Sequence, residues 1–186
     1  MRIAGPRFGG GAIAAGGIVG VFVSLLVLAF PPIRGDWAYV LLPMLAPTLM
    51  LLGLPSLRAR VTVREAVRGG FLALAVGLAL VILGRGVFAA FVYSAEPALG
   101  ASIAAAGVAW FGGALSGVGL LWIGLALARA RELSAVRWLF AAMGLVQLLA
   151  FPMSPYADVP RLVVNVGWVA TGLVTLAGRW NVRQSS

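Results

Sequence analysis

The sequence predicts an all-α polytopic membrane protein, a single domain over residues 1–186 built as a bundle of six transmembrane helices. Three observations carry this. Hydrophobic residues make up 62% of the chain and charged residues 10%, with a mean hydropathy of +1.05, whereas soluble domains carry about 25% charged residues. Apolar runs recur that are long enough, at ~1.5 Å per residue, to cross a hydrocarbon core of about 30 Å. All 14 basic residues are arginines, and they gather in alternate connectors between the runs.

The first span, 11–30, follows the basic stretch MRIAGPRFGG. It exceeds the h-region of a secretory signal, which is about 7 to 15 residues, and ends in FPPIRGD instead of a small-x-small site, so it reads as a retained helix. The second span, 37–54, holds Pro43 and Pro47. Proline lacks the N–H that would bond the carbonyl four residues back, so the Tyr39 and Pro43 oxygens are left free inside the helix. The third span, 71–92, carries one charge, Arg85, between Gly84 and Gly86. The fourth, fifth and sixth spans cover 101–127, 133–151 and 162–178.

Eleven arginines flank one set of ends and two, Arg34 and Arg161, the other. Cytoplasmic loops carry the excess of positive charge, so both termini are expected in the cytoplasm, and the expected home is a bacterial-type inner membrane. Trp37, Tyr93 and Tyr156 at the outer ends, with Trp138 and Trp180 at the inner, stand where interfacial anchors belong. The odd spans end alike, in Ala29-Phe30, Ala90-Phe91 and Ala150-Phe151. The even spans share a Gly with an Arg seven residues on: Gly53 and Arg60, Gly124 and Arg131, Gly172 and Arg179. This suggests three tandem helical hairpins in one orientation, although a chain rich in Ala, Gly, Leu and Arg also produces such matches by chance.

Composition excludes several chemistries. Without Cys there is no disulfide or thiolate, without His no imidazole ligand or Ser-His pair, and without Lys no Schiff base. The five acids, Asp36, Glu65, Glu96, Glu132 and Asp158, all lie between the apolar runs, which argues against a carboxylate proton relay. No metal, no cofactor and no enzymatic activity are expected. The net charge of +9 is spread over short connectors, unlike a nucleic-acid footprint, which gathers on one face. The lipid bilayer is the expected partner of those arginines.

Two constellations remain. Small residues recur every fourth position in the first span (Ala12, Gly16, Gly20, Ser24) and in the fourth (Ala105, Ala109, Gly113, Gly117). In lipid such stripes let helices approach closely, within one chain or between subunits, so Gly16, Gly20, Gly113 and Gly117 are the expected packing positions. Measured from each span's midpoint, Arg85, Ser24, Trp110, Gln147 and Asn165 all fall roughly 5 to 7 Å to the outer side of the midplane. With Trp168 as a further wall and the freed Tyr39 and Pro43 carbonyls opposite, they form a candidate polar layer for a ligand. An intramembrane Arg is costly and points to a functional site, the competing reading being that Arg85 snorkels into the headgroups.

These features support an accessory, assembly or structural subunit packing through its small-residue faces on a membrane partner or a second copy. The alternative is binding or transport of a small anionic or amphiphilic solute around Arg85. An intramembrane enzyme ranks third. In size and topology alone the chain resembles the substrate-binding components of energy-coupling vitamin transporters, without any substrate motif.

Overall fold

The computed structural model describes residues 6–29, 38–61, 63–92, 99–130, 134–150 and 158–177. They form α1 (Pro6–Ala29), α2 (Ala38–Ala59), α3 (Arg64–Val92), α4 (Leu99–Arg129), α5 (Ser134–Ala150) and α6 (Asp158–Leu176). No strand occurs among the described residues. Five helices are long and apolar enough to cross a membrane, and α5, with 17 residues, is shorter. Each helix turns large apolar side chains outward: Phe22, Leu52, Leu72, Ile103, Leu145 and Val163 are all more than half exposed. A surface so uniformly apolar on every helix suits lipid and not water.

The helices stand in a ring. Each packs on its neighbours in the chain and α1 closes on α6, while helices facing one another across the ring make no more than marginal contact. Glycines set this arrangement. A methyl placed on Gly70 would stand 3.0 Å from the Gly119 carbonyl oxygen, one on Gly77 2.6 Å from that of Gly112, and one on Gly84 2.7 Å from that of Ala105. Thus α3 and α4 meet backbone to backbone at every seventh residue, the spacing of a left-handed antiparallel pair. The same spacing joins α1 to α2, where Gly9 and Gly16 face the Gly53 and Ala46 oxygens, and α1 to α6, where Gly10 and Gly17 face those of Gly172 and Asn165. It also joins α4 to α5, where Gly124 meets the Arg137 oxygen and Gly144 that of Gly117. Without a hydrophobic drive between helices in lipid, close backbone contact of this kind supplies the dispersion and Cα–H···O attraction that holds them.

The α2–α3 and α5–α6 junctions differ. There a glycine meets a methionine side chain: Gly86 faces Met44 and Gly167 faces Met143. A repeat of three equivalent hairpins would give α5–α6 the backbone contact seen in α1–α2 and α3–α4, and it lacks it. The end resemblances in the sequence are therefore not matched by equivalent packing.

The end of the ring that carries Arg58, Arg60, Arg64, Arg68, Arg129 and Arg137 is solid. Leu57, Val61, Val67, Leu74, Leu120, Ile123, Leu127 and Phe140 fill it, all at most 1% exposed. Trp138 lies exposed at this end with the Arg137 guanidinium 5.7 Å from its ring centre, an arrangement suited to an interface. The other expected anchors, Trp37, Tyr93, Tyr156 and Trp180, lie outside the described residues.

Candidate functional site

Toward the opposite end the core gives way to a cavity of about 560 Å³ in the middle of the ring, with all six helices contributing to its wall. Its lower wall is apolar, with Met50, Leu74, Leu78 and Leu120 buried around it. Mostly apolar walls with a few placed polar groups, in this size range, are the ordinary form of a small-molecule site.

Arg85 projects from α3 into this space, half-buried, and its Nη1 donates to the Pro43 carbonyl oxygen at 3.1 Å. The local cause is legible in α2, which runs unbroken through Pro43, Pro47 and Pro55. Pro47 has no N–H to donate to the Pro43 oxygen, so that oxygen accepts its hydrogen bond from another helix. Tyr39, expected beside it, lies in the first turn of α2 with its side chain outside the described residues. On the α6 side, Asn165 Nδ2 donates to Ser24 Oγ of α1 at 3.3 Å, and Ser24 is buried.

Gln147 bonds within the α4–α5 pair. Its Nε2 donates to the Gly113 carbonyl at 2.8 Å and to Ser116 Oγ at 2.6 Å, while Ser116 Oγ donates to the same Gly113 oxygen at 2.8 Å. On the other side of α5, Gly167 of α6 meets Met143, which sets Gln147 within about a turn of Asn165. The polar residues expected in one layer thus border one cavity as three separate hydrogen-bonded groups, Arg85 with Pro43, Asn165 with Ser24, and Gln147 with Ser116 and Gly113. Trp110 also lines the cavity, and Trp168, 2% exposed, closes its α6 side.

The expected packing glycines also divide. Gly16 meets Ala46 and Met50 of α2, Gly20 meets Asn165 of α6, and Gly117 meets Gln147 and Leu148 of α5. Gly113 has no neighbour within 4 Å of where a side chain would begin, and it faces the cavity. A stripe at four-residue spacing winds slowly about a helix, so its members do not all face one partner.

One residue of the site was missed. Arg161, assigned to a loop by its charge, belongs to α6 and lines the cavity within about a turn of the height of Pro43. Asp158 opens α6 and Pro160 sits in its first turn, both ordinary signals of a helix start, and they would have begun the last span early enough to include it.

The described lining residues thus supply two guanidiniums, two amides and two hydroxyls above an apolar wall. Such a set can bind and orient, but it offers no group suited to general acid-base exchange. Compared with profiles of protein families, with curated proteins and with solved structures, the chain gives no match, so function rests on the site itself.

Proposed function

We propose that this protein is a six-span membrane protein, both termini cytoplasmic, that binds a small anionic amphiphile in the cavity at the outer end of its helix ring. The observation that carries the reading is that two guanidiniums, Arg85 and Arg161, line a cavity whose remaining wall is mostly apolar. A guanidinium presents five N–H donors in a planar fork, so one that donates to a carbonyl such as that of Pro43 can also donate to oxygens of an anionic head. An apolar segment of the ligand would lie along Met50, Leu78 and Leu120, with Gln147 and Ser116 on the α4–α5 wall. Under this reading α5 crosses the bilayer as a short span beside the deeper half of α4, and the arginines at the solid end meet cytoplasmic headgroups.

An assembly or structural role drew its support from small-residue faces. Gly16, Gly20 and Gly117 are occupied within the chain and Gly113 faces the cavity, so those faces no longer favour an outside partner. The test is extraction of gently purified protein followed by mass spectrometry. A stoichiometric anionic amphiphile that is lost from Arg85→Gln supports the reading; a stoichiometric protein partner with an empty cavity would return the case to assembly.

A further inference from the structure

A second recess lies on the outside of the ring and shares no lining residue with the cavity. It encloses about 730 Å³ and follows α4 from Val118 to the last turn, with Ala66 of α3 at its edge. Val118, Trp122 and Leu125 are exposed there, while Leu120, Ile123 and Leu127 of the same helix are buried in the ring, so the recess faces outward. Trp122 gives it its form. The indole lies across Gly69 of α3, where a methyl would stand 3.1 Å from two of its ring carbons, and its Nε1 donates to the Ala66 carbonyl oxygen at 3.1 Å. Contact and hydrogen bond together hold the ring against α3, and the α4 surface beside it, Val118, Leu121 and Leu125, is left as an apolar track. At the end of the track stands Arg129, exposed in the last turn of α4. Among the described residues the salt bridge at this end joins Glu65 to Arg68, at 3.9 Å, and leaves Arg129 without an acid.

We infer that this recess binds one anionic glycerophospholipid from the leaflet at the arginine-rich end, with the lipid phosphate on Arg129 and one acyl chain along the track. From Arg129 to Val118 is eleven residues, roughly 16 Å of helix. That is half of a hydrocarbon core of about 30 Å, the depth that the chains of one leaflet occupy. Charge and apolar surface follow one another in the order in which a lipid presents their complements, phosphate first and chain beneath. A zwitterionic headgroup carries its own cation beside the phosphate, so Arg129 favours an anionic one. Because the indole is already held in place, a chain that packs on it orders nothing in the protein, and preorganisation of this kind favours binding.

Native mass spectrometry of protein released from nanodiscs of equal phosphatidylglycerol and phosphatidylcholine tests this. The wild type should retain one phosphatidylglycerol in preference to phosphatidylcholine. Arg129→Gln should lower that retention about fivefold, the weight of one arginine at an anionic surface, and Arg129→Lys should keep most of it. Arg68→Gln makes the same charge change at the same end but outside the recess, and should leave retention unchanged. Val118→Trp fills the track with Arg129 intact, at a position already exposed, and should lower retention as far as Arg129→Gln does. If Arg68→Gln and Arg129→Gln weaken retention alike, or if Val118→Trp leaves it intact, the lipid is held by the net charge of that end and the site is overturned. Retention of neither lipid, or of both equally, overturns it too, as does a dimer that Val118→Trp dissolves, which would give the recess to a second copy of the chain.

Discussion

Replacing Gly77 and Gly113 by alanine, one at a time, tests the packing at its most specific. Alanine is the better helix residue by about 0.8 to 1.0 kcal/mol, a gain available at both sites and smaller if the helices persist in the unfolded reference state. At Gly113 nothing opposes the new methyl, since no atom lies within 4 Å of it. At Gly77 the methyl would stand 2.6 Å from the Gly112 carbonyl oxygen and 2.5 Å from the Ser116 amide nitrogen. Both are backbone atoms of α4 that yield only if the helix moves. The same register is fixed again at Gly70 and Gly84, so a shift at one level disturbs the others. Overpacking of this kind costs about 1 to 3 kcal/mol. The net expectation is a gain of up to about 1 kcal/mol at Gly113 and a loss of up to about 2 at Gly77. Thermal unfolding in one mild detergent should resolve this as midpoints moving in opposite directions. Equal shifts, or a larger loss at Gly113, would refute the seven-residue register and restore the four-residue stripe.

Arg85→Leu leaves the Pro43 oxygen without its donor, which should lower stability by about 1 to 3 kcal/mol, and Arg85→Lys should recover only part of it because an ammonium lacks the planar fork. An unchanged or raised midpoint for the leucine variant would mean that Arg85 snorkels. Gln147→Leu removes two donated hydrogen bonds on the cavity wall and should cost about 0.6 kcal/mol for each in a membrane setting; a loss above about 3 kcal/mol by the same assay would show that this amide carries more than these bonds. Reporter fusions after Arg68, Arg131 and Ser186 should read cytoplasmic and those near Glu96 and Asp158 external, and a cytoplasmic signal at Glu96 would break the six-span topology.

Much of this architecture could be read before any coordinates. Run length gave six helices, because a helix that crosses lipid must satisfy its backbone internally and has little choice of form. The Arg85 to Pro43 contact followed from proline chemistry and one out-of-place charge, both local properties of the chain. What could not be read was relative height, since nothing in a single helix states how far it slides against its neighbour. That slide is decided by glycines on two helices together, Gly70, Gly77 and Gly84 against Gly119, Gly112 and Ala105, and only the pair reveals the seven-residue rhythm. Arg161 was hidden for a related reason: charge assigned it to a connector, while the start signals of α6 placed it on a helix.

The two kinds of junction make the ring mechanically uneven. Where backbone meets backbone, at α1–α2, α1–α6, α3–α4 and α4–α5, the seventh-residue contacts yield only if a helix moves, even though side chains such as Met50 and Asn165 pack beside them. Where Gly86 meets Met44 and Gly167 meets Met143, an unbranched thioether with several rotatable bonds lies between the helices, and it can change shape at small cost. The ring is in effect two stiff staves, α6–α1–α2 and α3–α4–α5, joined along two compliant seams. Widening of the cavity is therefore concentrated at those seams, and Arg85, on one stave, is bonded to Pro43 on the other.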